Sequence, residues 1–500
     1  MLEAALSALV HLWSIELWFY MLLGIVGGLI IGVIPGLGGV VGMALYLPFL
    51  FSMDPYTGIG MLVGYIAVGQ TSDTFPAVLI GVPGSAGSQA TILDGYALAR
   101  KGEAARALGA SFSSSLLGGV FGAAVLLLVI VAARPFIHAL KSPDLFMFTM
   151  LGIAAVGVLV RGDYLLGLTS ALFGVMLATV GGAPAVPEYR FAFGELYLYD
   201  GLHIVVVALG LFAVPEALEL LIKRTPISRH GRVKGGLWKG FKETLDHKFL
   251  VWRSSLLGTI VGAIPGLGAS VVDWIAYAVA LRTVKDSEGF GQGDIRGVIA
   301  PESANNAKEG GTLIPTLVLG IPGSATAAML LGGLIILGIN PGPEMLDQQL
   351  DMTLTVVWAL VIANVIACVV CFSLSDPISR LTNVRGEFLA PVLIVIFFAA
   401  AYQSSQHLGD IIAMLGIGVF GYVMRLLAWP RAPLIIGFVL APGLERYLHL
   451  SMSVYDFKWM EFLSVRITGL FILLILIGLP AARLLGIARN RRPHSRGSSS

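Results

Sequence analysis

Residues 28–39 read GLIIGVIPGLGG, and the same pattern returns at residues 258–269 as GTIVGAIPGLGA. Both copies place a glycine at every fourth position and then continue as Pro-Gly-Leu-Gly. A second stretch, FPAVLIGVPGS at residues 75–85, returns as IPTLVLGIPGS at residues 314–324. Because two separate motifs recur in the same order, we infer that the chain consists of two homologous halves.

The repeated motifs lie in a strongly apolar chain. Of its 500 residues, 56% are apolar and 12% are charged, whereas soluble proteins carry about 25% charged residues. Apolar runs recur along the chain that are long enough to cross a hydrocarbon layer about 30 Å thick. These runs are continuously apolar, which predicts helices and excludes a transmembrane barrel of alternating strands. We therefore predict an all-α polytopic membrane protein with roughly 10–14 transmembrane or re-entrant helical segments.

The distribution of basic residues predicts how the chain is oriented in the membrane. Lysine and arginine are absent before Arg100, nine lie in Lys223–Arg253, and five arginines follow from Arg483 to Arg496. The positive-inside rule places these clusters and the segment Arg100–Arg106 in the cytoplasm. The acidic segment 341–351, which follows the second copy of the second motif, is then outside. Equivalent positions face opposite sides, which predicts two inverted-topology repeats, an arrangement typical of secondary transporters.

We divide the chain into four parts on this basis. The first half covers residues 1–222, with motifs at 28–39 and 75–88. A basic cytoplasmic linker at 223–253 leads to the second half at 254–486, with motifs at 258–269 and 314–326. Residues 487–500 are predicted to form a basic disordered cytoplasmic tail.

Membrane spans are predicted near residues 17–34, 107–132, 144–162, 164–182, 201–222, 352–375, 388–402, 409–427, 432–450 and 464–486. The first span is expected to be retained and not cleaved as a signal peptide.

Four Pro-Gly pairs are predicted to break helices within the membrane. A single pair favours a packing kink, but four pairs, related by the repeat and in two cases followed by hydroxyls, favour a binding site. A broken helix directs its N-terminal N–H groups at an anion and its freed carbonyls at a small cation, such as a sodium ion near the breaks. The predicted substrate-binding residues are Pro35, Gly36, Gly38, Pro83, Gly84, Ser85, Ser88, Pro265, Gly266, Gly268, Pro322, Gly323, Ser324 and Thr326. The glycines spaced four apart before the first breaks are explained by close helix packing.

Polar residues in apolar surroundings are candidates for coupling to an ion, because ionisable groups at membrane depth are costly and usually functional. These candidates are Asp73, Asp273, Asn305 and Asn306. The last two belong to the polar segment 302–309, ESANNAKE, for which a solvated loop is an equally good interpretation. The sequence does not assign a role to Glu302.

Other residues exclude several functions. A net charge of +2 predicts no nucleic-acid partner, and the absence of a Gly-x4-Gly-Lys-Ser/Thr loop argues against ATP as the energy source. Cys368 and Cys371 lie among apolar residues and are interpreted as packing residues. Asp200 and Asp410 are similar to an intramembrane aspartyl protease pair, but His407 occupies the place of that motif's first glycine. We expect no enzyme and no cofactor.

The two repeated motifs, together with ESANNA at residues 302–307, resemble the TctA family, the large membrane subunit of tripartite tricarboxylate transporters. The resemblance implies a multi-pass permease of the bacterial inner membrane with a cytoplasmic C-terminus. It also implies import of di- and tricarboxylates such as citrate, coupled to Na⁺ or H⁺. The implied partners are a periplasmic solute-binding protein (TctC-like) and a small membrane subunit (TctB-like). A passive anion channel and an intramembrane enzyme are the alternatives.

Overall fold

The computed structural model describes residues 2–34, 38–137, 140–159, 164–222, 235–265, 268–381, 386–456 and 458. Almost all regular structure in these residues is helical. The helices of the first half are α1 Leu2–His11, α2 Ile15–Val33, α3 Gly38–Tyr46, α4 Pro55–Ser72, α5 Thr74–Ile80, α6 Thr91–Arg100, α7 Ala104–Ile137, α8 Ser142–Leu159, α9 Tyr164–Leu177, α10 Leu196–Tyr199, α11 Ile204–Ala208 and α12 Val214–Ile222. Short 3₁₀ segments lie at Leu47–Ser52 and Ala86–Ser88, and a π-helical segment lies at Leu209–Ala213.

The second part of the chain continues the helical architecture. Its helices are α13 Leu237–Asp246, α14 Lys248–Gly262, α15 Gly268–Thr283, α16 Arg296–Leu319, α17 Ala325–Ile336, α18 Pro343–Leu346, α19 Leu350–Ser373, α20 Ser375–Leu381, α21 Gly386–Ser405, α22 Leu408–Leu426 and α23 Ala432–Val454, with a 3₁₀ segment at Ser287–Gly289. A small antiparallel ribbon pairs β1, Gly181–Gly182, with β2, Tyr189–Arg190. Gly181 lies opposite Arg190 in this ribbon.

The helices confirm an all-α polytopic membrane protein. Within the described part of the chain, four helical stretches are long and apolar enough to cross a membrane: Ile15–Val33, Ala104–Phe136, Leu350–Ser373 and Leu408–Leu426. The predicted span near 352–375 corresponds to α19, and the span near 409–427 corresponds to α22. The predicted span near 464–486 and the tail at 487–500 lie outside the described residues. Helix α13 and the start of α14 lie within the segment predicted as the linker.

The spaced glycines hold α2 against α4 and α14 against α16. An ideal Cβ on Gly28 would fall 3.0 Å from the carbonyl oxygen of Tyr65, and one on Gly258 would fall 2.3 Å from that of Ala304. Only a hydrogen side chain allows the two backbones to approach so closely. The packing interpretation of these glycines is therefore confirmed at these two positions.

The second motif ends its helix in the same way in both halves. Gly81 and Gly320 both have φ of +69°, and their N–H groups donate to the carbonyls of Pro76 and Pro315. This left-handed conformation favours glycine, which terminates the helix and reverses the chain. The local geometry of the motif is thus repeated, while the inverted orientation of the two halves stays a prediction.

Helix α16 runs through the centre of the structure and packs against α7, α14 and α15. It contains the whole polar segment 302–309, and Glu302 is fully buried in it. The solvated-loop interpretation of this segment is therefore wrong. The polar side chains are tolerated inside because neighbouring helices supply hydrogen-bond partners for them, as buried polar groups require.

Candidate functional site

The first Pro-Gly-Ser turn packs onto the C-terminal end of α4. Gly84 is buried there, and an ideal Cβ on it would fall 2.6 Å from both the Cα and the carbonyl oxygen of Asp73. The hydroxyl of Ser85 donates a hydrogen bond to the Asp73 carboxylate. Asp73 is 1% exposed. The glycine therefore permits a contact between the turn and a buried carboxylate that no other residue would allow.

Ser85 and Ser88 fix the shape of this turn. The backbone N–H of Ser85 donates to the Ser88 hydroxyl at 3.3 Å, and the N–H of Gly87 donates to the Ser85 hydroxyl at 3.0 Å. These bonds form a capping box around the 3₁₀ segment. Both predicted site serines thus have structural partners, and the hydroxyl hydrogen of Ser85 is committed to Asp73 in this state.

Two carboxylates from the second half hold the end of the same turn. Glu302 on α16 accepts hydrogen bonds from the hydroxyls of Thr74, at 2.9 Å, and Thr91, at 2.5 Å. Asp273 on α15 accepts from the backbone N–H of Ala90 at 2.9 Å and from its neighbouring N–H, that of Trp274, at 2.8 Å. Glu302 and Asp273 are fully buried. The site is therefore built across both halves of the chain.

A buried lysine completes this cluster. The Lys308 ammonium lies 2.8 Å from Asn305 Oδ1, 3.0 Å from Gln70 Oε1 and 2.9 Å from Glu309 Oε1. It also donates to the Asn305 carbonyl at 3.1 Å. Sequence reasoning did not select Lys308, Gln70 or Thr91 as site residues. For Lys308 the available signal was a basic residue within the polar segment 302–309, close to two amides and two carboxylates.

The second Pro-Gly-Ser turn packs against α14 and α16 of its own half. Gly323 is buried, and an ideal Cβ on it would fall 3.1 Å from the Cα of Thr312. Ser324 caps α17 by accepting from the N–H of Ala327 at 3.1 Å. The hydroxyl of Thr326 would lie 3.2 Å from a Cβ on Gly39, beside the start of α3. Thr326, just after this turn, therefore lies beside α3 of the other half.

The structure brings some predicted residues together and separates others. Asp73, Asp273 and Asn305 surround the first turn, whereas Asn306 faces away from it. The Asn306 amide donates to the Ser115 carbonyl at 2.7 Å and to Asn364 Oδ1 at 2.6 Å. Pro83 and Pro322 immediately precede the turn glycines, Pro265 lies beyond the end of α14, and Gly38 and Gly268 begin α3 and α15. Pro35, Gly36 and Gly266 lie outside the described residues.

Three buried polar atoms in this region have no hydrogen-bond partner among the described residues: Asp73 Oδ1, Asn305 Nδ2 and Asn306 Oδ1. Buried polar groups are rarely left without a partner. An unpaired carboxylate oxygen fits a cation or a proton, and an unpaired amide N–H fits an anion or water. Across the described ranges no group of three or more His, Cys, Asp and Glu side chains is placed to hold a metal ion.

Comparison with known proteins identifies the family of the chain. Residues 18–436 match the family described as "Tripartite tricarboxylate transporter TctA family". A protein of Agrobacterium vitis, named "Uncharacterized 52.8 kDa protein in TAR-I ttuC' 3'region", is 32% identical over 435 residues, which cover 86% of each chain. Another from Agrobacterium vitis, "Uncharacterized protein in TAR-II ttuC' 3'region", is 31% identical over 197 residues, covering 39% of this chain and 81% of that protein. No solved structure matches the chain.

The family match covers most of the chain and includes both copies of each repeated motif. The helical architecture with its apolar spans agrees with this assignment. The chain therefore belongs to the TctA family and is a multi-pass membrane component of a tripartite tricarboxylate transporter.

Proposed function

We propose that this chain is the transport subunit of a cation-coupled secondary transporter that imports organic carboxylates, such as citrate, across the bacterial inner membrane. A periplasmic solute-binding protein delivers the substrate, and a small membrane subunit completes the complex. Membership of the TctA family supports the substrate class and the partners. The observation that carries the mechanism is the contact between the first Pro-Gly-Ser turn and the buried carboxylates of both halves.

Substrate binding is proposed at the two Pro-Gly-Ser turns and the adjacent breaks. The backbone N–H groups at Gly84 and Gly323 are the donors for the substrate carboxylates, because a bulky side chain cannot intervene at either glycine. Ser324 caps α17, which has 12 residues and directs its positive N-terminal end at the turn. Such helix ends commonly bind substrate carboxylates in transporters with broken helices.

Cation coupling is proposed at Asp73. Its Oδ1 atom has no partner among the described residues, and its other oxygen accepts from Ser85. A sodium ion or proton at this carboxylate weakens its hold on the Ser85 hydroxyl. That hydroxyl is then free to donate to the substrate, so that cation binding precedes and favours anion binding.

Electrostatics give the same order of binding. Asp73, Asp273 and Glu302 are all buried around the turn, and they repel an anionic substrate while they are ionised. Partial neutralisation by the coupling cation removes this repulsion. Asp273 and Asn305 are proposed to take part in this network, and Asn306 to support it from the neighbouring α7–α19 layer.

Uptake into proteoliposomes tests the proposal. The chain and its small partner subunit are reconstituted, and a labelled panel of di- and tricarboxylates is offered with or without the solute-binding protein. Each condition is repeated under a sodium gradient, a proton gradient or neither. Accumulation that requires the binding protein and one gradient supports the proposal, and the effective gradient identifies the coupling ion. Equilibration without either would instead show a passive channel.

An enzymatic role for Asp200 and Asp410 is tested in the same assay. Asp410 is fully buried and accepts from the Tyr197 hydroxyl at 2.9 Å and from the Ser405 N–H at 3.0 Å. Through these contacts the Asp410 carboxylate stabilises the start of α22. We expect Asp200→Asn to transport normally, and loss of transport with normal insertion would return this pair to consideration.

A further inference from the structure

Lys308 is a positive charge fixed in the interior of the protein. Its side chain is 1% exposed and its ammonium group contacts four oxygen atoms, from Gln70, Asn305 and Glu309. A buried lysine is costly unless its charge is compensated, so such residues are rare at membrane depth and are usually functional.

The position of Lys308 breaks the symmetry between the two halves. Aligning residues 75–85 with 314–324 places Gln70 opposite Glu309, and Gly69 opposite Lys308. The Lys308 ammonium therefore contacts both members of an equivalent pair, Gln70 at 3.0 Å and Glu309 at 2.9 Å. An ideal Cβ on Gly69 has no atom within 4 Å, so the first half has room at this position but no cation.

The buried charges of the site are unbalanced. Asp73 follows the last residue of α4, α15 contributes Asp273, and α16 contributes Glu302 and Glu309, all of them buried. Glu302 accepts a hydrogen bond from Thr74, the residue after Asp73, and Asp273 accepts one from Ala90, near the end of the first turn. Helix α14 contacts the backbone of Lys308 through Gly262, which is uncharged. Four carboxylates against one ammonium leave three negative charges for other cations to neutralise when all are ionised.

We propose that the Lys308 ammonium is a tethered coupling cation: it neutralises one carboxylate of the site permanently and so reduces by one the mobile cations that each substrate requires. This inference rests on the proposed function, since it assumes that cations must neutralise the site before an anion binds. Glu309 is the carboxylate that the tethered cation neutralises, and Gln70 and Asn305 position the ammonium. In this scheme Lys308 acts through the charge of Glu309 and does not itself contact the substrate.

The number of cations transported per substrate tests this inference. The wild-type complex is reconstituted in proteoliposomes, and the reversal potential of carboxylate flux is measured with the panel member that wild type accumulates. Three variants are compared with it: Lys308→Met, Glu309→Gln and the double variant Lys308→Met/Glu309→Gln. We expect the ratio to rise by one in Lys308→Met, to fall by one in Glu309→Gln and to match wild type in the double variant, which restores the charge balance.

The outcomes separate this inference from the proposed function. Absence of cation-driven uptake by wild type would overturn the proposed function itself. Cation-driven uptake by wild type with an unchanged ratio in Lys308→Met would overturn only the tethered cation. If Lys308→Met fails to insert, the charge-balanced double variant decides, because a wild-type ratio supports the inference and any other ratio overturns it. Insertion without uptake in both the single and the double variant would assign Lys308 to packing alone and overturn the inference.

Discussion

Gly84 lies directly against Asp73, with the Cβ position of the glycine only 2.6 Å from the Cα of the aspartate. The equivalent contact in the second half joins Gly323 to Thr312, at 3.1 Å. Both turns thus pack on the same position of the preceding helix, but only the first turn meets a carboxylate. This difference makes the first half the side on which we expect cation coupling.

A bulky residue at Gly84 should abolish uptake. In Gly84→Val the new side chain would collide with the backbone of Asp73, which cannot move without displacing α4. We expect normal amounts of protein in the membrane and no carboxylate accumulation in proteoliposomes. Gly416→Ala is the matched control, since no atom lies within 4 Å of its Cβ position. Near-normal uptake by Gly84→Val would remove this turn from the substrate site.

Removing the charge of Asp73 should weaken cation binding without disturbing the turn. In Asp73→Asn the amide oxygen can still accept from Ser85, while the unpaired position loses its negative charge. A hydrogen bond to a charged group contributes about 1.5–3 kcal/mol, so we expect at least a tenfold rise in the cation concentration for half-maximal uptake. Cation titrations of uptake measure this value. A wild-type titration curve would show that Asp73 is not the coupling site.

The neutral variant of Asp273 should loosen the contact between the two halves. The Asp273 carboxylate accepts two backbone N–H groups, those of Ala90 and Trp274, whereas an asparagine side chain offers one oxygen. One buried N–H is left unpaired in Asp273→Asn, at a cost of about 1–3 kcal/mol. We expect a lower thermal unfolding temperature in detergent and an altered sodium or pH profile of uptake. An unchanged ion profile would contradict a coupling role for Asp273.

Asp94 should stabilise the junction between α6 and the loop before α16. It is fully buried and accepts from the Gly293 and Asp294 N–H groups, at 2.7 and 2.9 Å, and from the Tyr277 hydroxyl at 2.8 Å. Asp94→Ala leaves these donors unpaired and should lower stability by at least about 2 kcal/mol. Asp94→Asn is the control, because its oxygen can accept both N–H groups. Equal thermal stability of the two variants would contradict this interpretation.

Because of an ion pair at the start of α7, the free energy of unfolding should decrease as the pH falls into the acidic range. The hydrogen bond from Arg106 holds the pKa of the Glu103 carboxyl below its ordinary value of 4.5. A lowered pKa contributes stability that is complete above that value and is lost as the pH falls through the folded-state pKa. The contribution is small because Glu103 is well exposed. We expect Glu103→Gln to lower the unfolding temperature slightly at pH 7, and the difference from wild type to shrink as the pH falls through the folded-state pKa of Glu103.

Much of the architecture follows from the sequence. An apolar run in lipid must satisfy its backbone hydrogen bonds internally, and so the predicted spans near 352–375 and 409–427 correspond to helices α19 and α22. The helix end in the second motif was equally predictable, since Gly81 and Gly320 supply the left-handed conformation that terminates it.

The polar residues show where sequence reasoning stops. The composition of the stretch ESANNAKE at residues 302–309 fits a solvated loop and a buried helix equally well. Burial was decided by partners far away along the chain, Thr74 and Thr91 for Glu302 and Gln70 for Lys308. The local sequence does not predict those contacts.

The sequence by itself thus determined that this chain is a helical membrane protein, and it predicts two homologous halves with a glycine turn in each. Only the tertiary structure decided that Gly84 meets Asp73, that Asn306 faces a different layer, and that the buried Lys308 pairs with Glu309. The physical reason is that helix formation and chain reversal depend on neighbouring residues. The balance of buried charge depends on which helices pack together, and that is a property of the whole fold.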